Sequence, residues 1–274
     1  MPPNREAPEP VRLAFTRIGR GPPLLFLHGF LGSGRNWRGI ARAFSDRFTC
    51  LLVDLRNHGA SPWAEPMTYE AMAADVAALL EAEGLESAIV LGHSMGGKAA
   101  MTLALEGEPL LRALIVVDIA PVPYRRRLEP LLDALLAVDL ARFRTRAEVD
   151  AALRPAIPED SFRGFLLQNL ERGPEGLRWR CNLPVLRRWL PAITGFPPAL
   201  EGRRWQGPVL FLRGACSDYV DDQALPRIRA FFPRARVVTL EDAGHWPQVE
   251  RPEETRRALA AFLDRVAVEF SPRK

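Results

Sequence analysis

Ser94 stands between two glycines in residues 91–100, which read LGHSMGGKAA. Gly92 and Gly96 lie between a strand-like apolar run and a helical pattern. When a strand turns sharply into a helix, its corner residue adopts strained backbone angles, and side chains two places away would collide. Glycine at both places removes that collision. The turn would raise the serine hydroxyl above the carboxyl end of a sheet, beside the free N–H groups of a helix N-terminus, so Ser94 is a candidate nucleophile.

A serine hydroxyl becomes a good nucleophile only when a neighbouring base takes its proton. Of the four histidines in the chain, His245 is the strongest candidate. It lies in the segment DAGHW, which follows a strand-like run over residues 237–240. Its loop is therefore expected to emerge at the same end of the sheet as Ser94. The other three precede a glycine or the serine itself in tight turns and are weaker candidates: His28, His58 and His93.

A second turn at the same sheet edge is predicted after the apolar run over residues 24–27, where the chain reads His28-Gly29-Phe30. The backbone N–H of Phe30 is expected to face the serine, together with the N–H of Met95. Two such donors would stabilise the oxyanion of a tetrahedral intermediate. We therefore predict an oxyanion hole formed by Phe30 and Met95.

These groups need a scaffold that brings distant segments to one edge, and the hydrophobic pattern predicts one. Strand-like runs lie over residues 11–16, 24–27, 49–54, 88–91, 113–118, 209–213 and 237–240. Helical patterns lie over residues 36–45, 68–82, 94–106 and 252–268. Continuous apolar strands that alternate with helices indicate an α/β protein, whose mostly parallel central sheet carries helices on both faces. The first run is expected to be an edge strand.

The interval over residues 120–205 breaks this alternation. Its pattern is helical, it is rich in arginine, proline and tryptophan, and it contains no convincing strand. So long a segment is not expected to be a structureless loop in a compact domain. We predict a core formed by residues 1–119 and 206–274, and a helical cap over one end of the sheet formed by residues 120–205.

The bulk composition is that of a globular protein, with 47% hydrophobic and 26% charged residues in a chain of 274. The net charge is +4, and arginine carries nearly all of the positive charge, since Lys98 and Lys274 are the only lysines. Arginine clusters at residues 125–127, 187–188 and 203–204 lie apart and are mixed with apolar residues. This pattern favours a solvated surface and no nucleic-acid partner. The alternative is a positive rim that attracts an anionic substrate.

The cysteines and the amino terminus indicate the compartment. Cys50, Cys181 and Cys216 include no close pair, which argues against a disulfide framework and against a zinc site. The amino terminus, MPPNREAPEP, lacks the apolar segment of a secretory signal, and no run of about 18 apolar residues predicts a membrane span. We expect a cytoplasmic protein that binds no metal, and its oligomeric state stays open.

Several segments resemble motifs of the α/β-hydrolase superfamily: residues 28–30 (HGF), 54–61 (DLRNHGAS), 92–101 (GHSMGGKAAM), 116–124 (VVDIAPVPY) and 243–254 (AGHWPQVERPEE). These words, with WRCNL at residues 179–183, are similar to one branch of serine esterases, which contains abhydrolase domain-containing protein 11 and small bacterial esterases. The resemblance covers about residues 11–268. It implies the α/β-hydrolase fold and a carboxylester hydrolase with a serine–histidine–acid triad, no metal and no diffusible cofactor.

The acid of the triad is where this chain departs from the usual pattern of the superfamily. Most members place an aspartate three residues beyond the glycine that ends the penultimate strand, and the uncharged Ser217 stands there instead. Two candidates remain: Asp118 ends the strand over residues 113–118, whereas Asp218 comes one residue late in its loop. One step along an extended segment turns a side chain to the opposite face. We therefore predict that Asp118 orients His245, with Asp218 as the weaker candidate.

Together these residues predict a hydrolase that cleaves small-molecule acyl esters, or thioesters, through an acyl-enzyme formed on Ser94. A perhydrolase or a carbon–carbon bond hydrolase of the same fold is the alternative reaction. A catalytically inactive small-molecule-binding protein is the alternative of another class, but such a protein usually lacks the serine or the histidine, and both are present here. Because a cap would roof the site, we expect a preference for short or medium acyl chains.

Overall fold

The computed structural model of the protein describes residues 9–125 and 128–269. Most of the amino-terminal segment that lacks a signal pattern, Arg126 and Arg127 of the first arginine cluster, and the residues after 269 lie outside the described residues. Within the described ranges, no helix combines the length and the apolar character that crossing a bilayer requires.

Nine strands form two sheets in the described part of the chain. In chain order they are β1 (Phe15–Ile18), β2 (Pro23–Leu27), β3 (Thr49–Val53), β4 (Ala88–His93), β5 (Leu111–Val117), β6 (Leu170–Gly173), β7 (Gly176–Trp179), β8 (Val209–Gly214) and β9 (Ala235–Leu240). The larger sheet has the order β1-β3-β2-β4-β5-β8-β9. Its described neighbours pair in parallel except β1 with β3. The predicted parallel sheet is therefore confirmed, and an edge strand is present, although it spans Phe15–Ile18 and not residues 11–16.

Eleven α-helices accompany these strands within the described residues. In chain order they are α1 (Arg38–Arg42), α2 (Tyr69–Ala82), α3 (Met95–Glu106), α4 (Glu129–Leu136), α5 (Arg146–Leu153), α6 (Asp160–Leu166), α7 (Leu183–Arg188), α8 (Leu190–Thr194), α9 (Leu225–Phe231), α10 (Pro247–Glu250) and α11 (Pro252–Glu269). The long helix α2 begins where the sequence predicts. The hydroxyl of Thr68 accepts a hydrogen bond from the N–H of Ala71 at 3.2 Å, which satisfies one of the free donors of its first turn.

Successive residues of the inner strands face two different cores, since side chains alternate between the faces of a sheet. In β2, Leu25 packs into the core formed with α2 and α3, and Phe26 packs into the core formed with Trp37 and α11. Both side chains are fully buried. The same alternation runs through β3, β4, β5 and β8. Helices on both faces explain why these strands read as continuous apolar runs.

The carboxyl ends of the parallel strands lie at one edge of the sheet, and their registers match there. Gly92 of β4 lies beside Leu27 of β2, and His93 lies beside Val117 of β5. Gly214, the last residue of β8, lies beside Leu240 of β9. The loops that follow these strands therefore emerge together, at the edge where open α/β sheets bind their ligands.

The segment between β5 and β8 contains α4 to α8 and the antiparallel hairpin of β6 and β7. The prediction that it has no strand is therefore wrong. Each strand of the hairpin has only four residues, too few for an alternating pattern to stand out from the helical flanks. The words GPEG at residues 173–176, with Gly176 at a φ of +123°, are the turn signal that could have indicated it. Buried leucines of α4, α6 and α7 join the core on the α2 side of the sheet.

Candidate active site

Ser94 occupies the corner between β4 and α3, with a φ of +50° and a ψ of −116°. Its N–H donates to the carbonyl of Val117 at 3.0 Å, which ties the corner to the neighbouring strand. A Cβ on Gly92 would lie 2.2 Å from the carbonyl oxygen of Gly96, and a Cβ on Gly96 would lie 2.6 Å from that of His28. Real Cβ atoms do not approach so closely, so this backbone requires glycine at both positions, as the spacing predicts.

A continuous chain of hydrogen bonds links three of the residues selected from the sequence. The Nε2 of His245 lies 3.1 Å from the Oγ of Ser94, and its Nδ1 lies 2.8 Å from the Oδ2 of Asp118. With Nδ1 protonated and donating to the carboxylate, Nε2 is free to accept the serine proton. The arrangement can therefore withdraw a proton from Ser94 and hold the resulting positive charge beside a carboxylate.

The structure separates the two candidate acids clearly. Asp118 directly follows β5, is 1% exposed and also accepts from the N–H of Gly214 at 3.0 Å through Oδ1. Its φ of +49° is unusual for an aspartate, and such strain is concentrated at functional sites. Asp218 is exposed in the loop after β8. The carboxylate next to His245 is thus that of Asp118.

Ser217, the residue at the position where the superfamily usually carries its aspartate, also touches this carboxylate. Its hydroxyl donates to the Oδ2 of Asp118, the oxygen that accepts from His245. Its Oγ in turn accepts from the N–H of Tyr219 at 3.2 Å. The contact is not expected from the sequence, where Ser217 stands only as an uncharged residue at the usual position of the acid. A hydroxyl at the usual acid position was the available signal, because it can bond to a carboxylate supplied by the neighbouring strand.

The imidazole of His245 is held on its faces as well as at its nitrogens. The ring of Tyr219 stacks on it at a centroid distance of 3.7 Å and an interplanar angle of 14°. The Nε2–H of His93 donates to the backbone carbonyl of His245 at 2.7 Å. The ring of His93 is otherwise fully buried, and burial lowers its pKa well below the ordinary value. His93 therefore positions the histidine loop as a neutral ring, and is not placed to act as the base.

The loop that carries Phe30 is clamped at the next residue. Leu31 has a φ of +56°, its N–H donates to the Nε2 of His58 at 3.2 Å, and its carbonyl accepts from the Nδ2 of Asn169 at 2.7 Å. The N–H groups of Phe30 and Met95 donate to no protein acceptor within the described residues. Met95 is the first residue of α3, where backbone donors have no partner inside the helix. Both residues line the cavity that contains Ser94.

Burial keeps the two histidines of this region neutral. It lowers the pKa of His28 to about 4 and the pKa of His58 to about 3. The Nε2 of His28 accepts from the N–H of Leu55 at 3.0 Å, so its Nδ1–H donates to the carbonyl of Gly29. His58 follows the same pattern, with Nε2 as the acceptor. These rings hold the backbone around the site, in keeping with their low rank as bases.

The cavity above Ser94 has a volume of about 1130 Å³ and is lined mainly by apolar side chains. Phe162 and Phe165 of α6 pack against Trp246, which follows His245, and form part of its wall. This volume lies slightly above the range of about 300–1,000 Å³ for small-molecule sites, and the preference for short or medium acyl chains stays a prediction. No cluster of metal-ligating side chains occurs in the described residues.

The chain belongs to the α/β-hydrolase family, since the family model described as "alpha/beta hydrolase fold" matches residues 22–252. It is 37% identical over 252 residues to the sn-1-specific diacylglycerol lipase ABHD11 of Xenopus laevis, and the alignment covers 89% of this chain and 80% of the relative. It is 37% identical over 245 residues to the esterase YbfF of Escherichia coli strain K12, and that alignment covers 88% of this chain and 93% of the relative. The family resemblance inferred from the motifs is confirmed.

Solved structures agree with this assignment. A marine microorganism esterase superposes with a TM-score of 0.88 and 37% identity, over 92% of this chain and 99% of its own. The predicted fold class, an α/β-hydrolase fold with a mostly parallel sheet between helices, is thus confirmed. Relatives named as lipases and esterases in the same family make this chain an enzyme of the serine hydrolase type.

Proposed function

We propose that the protein is a carboxylester hydrolase that acts on small-molecule acyl esters, or thioesters, through an acyl-enzyme on Ser94. The observation that carries the proposal is the hydrogen-bonded chain from the Oγ of Ser94 through His245 to Asp118. The names of the relatives, an esterase and a diacylglycerol lipase, support esters as the substrate class.

In the first half of the reaction, the Oγ of Ser94 attacks the ester carbonyl carbon while its proton passes to the Nε2 of His245. The carbonyl oxygen becomes an oxyanion, which the N–H groups of Phe30 and Met95 stabilise. The intermediate collapses when the bond to the leaving oxygen breaks. The Nε2–H of His245 donates its proton to that oxygen, the alcohol departs, and the acyl group stays bound to Ser94.

In the second half, His245 takes a proton from a water molecule, whose oxygen attacks the acyl carbon. A second oxyanion forms in the same place and collapses when the bond to the Oγ of Ser94 breaks. The proton on Nε2 returns to Ser94, and the carboxylic acid leaves. In both halves Asp118 stabilises the imidazolium and fixes its tautomer. A thioester passes through the same steps with sulfur in the leaving group.

The division of the chain predicted from the sequence forms part of the proposal. Residues 1–119 and 206–274 would be the hydrolase core, and residues 120–205 would be a cap that supplies walls of the cavity. The positions of Phe162 and Phe165 beside Trp246 support this role. A cap of this kind would exclude bulk water from the bound ester. Exclusion of water strengthens the hydrogen bonds to the oxyanion.

The alternatives use the same nucleophile or none. A perhydrolase would admit hydrogen peroxide in place of water to the acyl-enzyme, and a carbon–carbon bond hydrolase would protonate a carbanion leaving group. An inactive binding protein would have no use for a base within 3.1 Å of the serine hydroxyl. Covalent labelling by a fluorophosphonate separates this last alternative from all the catalytic ones.

The proposal is tested by comparing the wild type with Ser94→Ala in hydrolysis of p-nitrophenyl acetate, butyrate, octanoate and palmitate. The variant is expected to lose at least about a thousandfold in turnover and all fluorophosphonate labelling. Circular dichroism and urea unfolding establish that the variant folds. Turnover within about tenfold of wild type, or labelling that persists in Ser94→Ala, would show that another residue is the nucleophile. The chain-length series compares short and long esters in the same cavity.

A further inference from the structure

Lys98 is a buried lysine in the wall of the active-site cavity. It lies in the second turn of α3, and its N–H donates to the carbonyl of Ser94 at 3.0 Å, so it follows the nucleophile by one turn of the same helix. The residue is 1% exposed. Side chains in a helix lean toward its N-terminus, which directs Lys98 back toward the level of Ser94.

The partners of its ammonium group among the described residues are two backbone carbonyls and two tyrosine rings, all uncharged. The Nζ donates to the carbonyl oxygens of Thr194, at 3.2 Å, and of Gly195. It also lies 4.7 Å from the ring centroid of Tyr124 and 5.6 Å from that of Tyr69. The two tyrosine hydroxyls are engaged elsewhere, because each donates to a backbone carbonyl. An ammonium group has three N–H donors. Among the described residues, the two carbonyls leave one of these donors without an acceptor, and the charged form has no anionic partner.

The other buried basic side chains of the described residues have carboxylate partners. Three cationic side chains are buried in residues 9–125 and 128–269, namely Arg56, Arg163 and Lys98. Arg56 forms a two-pronged ion pair with Asp75 at 2.6 Å, and Arg163 pairs with Asp150 and with a second aspartate. No carboxylate within those ranges pairs with Lys98. The buried cation that lacks a carboxylate is the one that lines the cavity.

Burying an ammonium group without a counter-ion is unfavourable. Burial lowers the pKa of Lys98 to about 7, which reflects this cost. An anion that entered the cavity and accepted from the Nζ would complete the set of donors and restore the charge balance. The apolar side chains that line the same cavity, including Ile119, Leu128 and Leu131, would accommodate the hydrocarbon part of the same molecule.

We propose that Lys98 forms an anion subsite in the cavity, which binds a carboxylate that the ester substrate carries away from its scissile bond. The substrate class is then esters with an apolar body and a remote carboxylate, such as monoesters of dicarboxylic acids. This inference rests on the proposed function, because it names the substrates of the same site.

Charged residues at the mouth of the cavity allow long-range attraction of an anion to be distinguished from its binding at Lys98. Arg35 is exposed there and would attract any anion over a distance without binding it in the interior. Glu159 and Glu250, also exposed at the mouth, would oppose that attraction. A preference that comes from Lys98 must therefore survive Arg35→Met and disappear in Lys98→Met. Methionine matches the length of the lysine stem and removes the charge.

The experiment compares two pairs of substrates that differ only in one charge. The first pair, p-nitrophenyl hydrogen suberate and its methyl ester, places the carboxylate on the acyl side. The second pair, the butyryl esters of 6-hydroxyhexanoic acid and of its methyl ester, places it on the alcohol side. The measured quantity is the ratio of kcat/KM for the charged member to kcat/KM for the neutral member, in wild type and both variants.

In wild type, the ratio is expected to exceed one by about tenfold to a hundredfold in one pair, the range for a hydrogen bond to a charged group. Lys98→Met is expected to remove that preference, and Arg35→Met to keep it. A wild-type ratio near one in both pairs overturns the subsite, as does a preference that Arg35→Met abolishes and Lys98→Met retains. If Lys98→Met does not fold, a preference in wild type that persists in Arg35→Met still supports the subsite. Hydrolysis of the neutral esters reports on the proposed function separately.

Discussion

Replacing Asp118 with asparagine is the most direct probe of the hydrogen-bond chain behind Ser94. In the wild type, the carboxylate accepts from the Nδ1–H of His245 and from Ser217 through one oxygen, and from Gly214 through the other. Asparagine has nearly the same shape and can still accept from Gly214. Its NH₂ group, however, cannot accept the Nδ1–H bond. His245 is then expected to carry its proton on Nε2 and to present a donor, which cannot deprotonate Ser94.

The expected loss is about ten-thousandfold in turnover, by analogy with the same substitution in serine proteases. This corresponds to about 5.4 kcal/mol of activation free energy, at about 1.36 kcal/mol for each factor of ten. The loss should fall on kcat, because a side chain that is 1% exposed does not contact the ester in the ground state. The assay is the initial rate of p-nitrophenyl butyrate hydrolysis over a range of substrate concentrations, with circular dichroism as the check of folding.

Asp218→Asn is the matched control, since it makes the same chemical change at an exposed position in the loop after β8. We expect its turnover to stay close to that of the wild type. The reasoning would be refuted if Asp218→Asn were the inactive protein while Asp118→Asn kept its turnover. It would also be refuted if Asp118→Asn lost less than about tenfold, because the carboxylate would then have no role in orienting His245.

Three further predictions concern the surroundings of the site. The pKa values of His28 and His58, about 4 and about 3, lie below the ordinary value of 6.5 because both rings are buried. Below about pH 6.5 the unfolded chain therefore binds protons at these histidines, whereas the folded protein does not. Urea titrations should show that the free energy of unfolding falls by on the order of 3 kcal/mol per histidine between pH 7 and pH 4. A free energy that is flat across this range would contradict the buried neutral state. Asp75→Asn leaves Arg56 buried without its counter-ion. Urea titration at pH 7 should show that the free energy of unfolding falls by about 3–5 kcal/mol. A fall of less than about 1 kcal/mol would contradict the importance of the pair. Ser217→Ala removes a hydrogen bond to a carboxylate and should lower kcat by about tenfold or more with little change in KM, whereas an unchanged kcat would make the contact incidental.

Some features of the site follow from short stretches of sequence, because the constraint acts within a few residues. The turn at Ser94 is one example, since the backbone atoms that exclude a side chain at Gly92 belong to Gly96, four residues away. The continuous apolar runs indicated strands buried on both faces, and six of the seven predicted runs coincide with strands of the larger sheet, whereas β1 begins at Phe15, four residues later than predicted. The hairpin of β6 and β7 was missed because its strands are short. The cytoplasmic location and the absence of a nucleic-acid partner stay predictions from composition.

The choice between Asp118 and Asp218 shows what depends on tertiary structure. By sequence alone, Asp118 stood at the end of a predicted strand and Asp218 stood in the loop after another, so the sequence favoured Asp118 but left Asp218 as a candidate. The sheet order places β5 between β4 and β8, so the residue after β5 lies beside Ser94 and within reach of Ser217. Such contacts depend on strand order and register, which no local pattern encodes.

The unpaired charge of Lys98 depends on tertiary structure in the same way. A lysine in a helical segment reads as a solvated residue, and only the packing of α2, α3 and α8 around the cavity buries it against Tyr69 and two carbonyls. The sequence by itself determined which residues could react and which backbone turns they needed, because those requirements are local. The tertiary structure decided which side chains meet, because their distances are set by elements far apart in the chain.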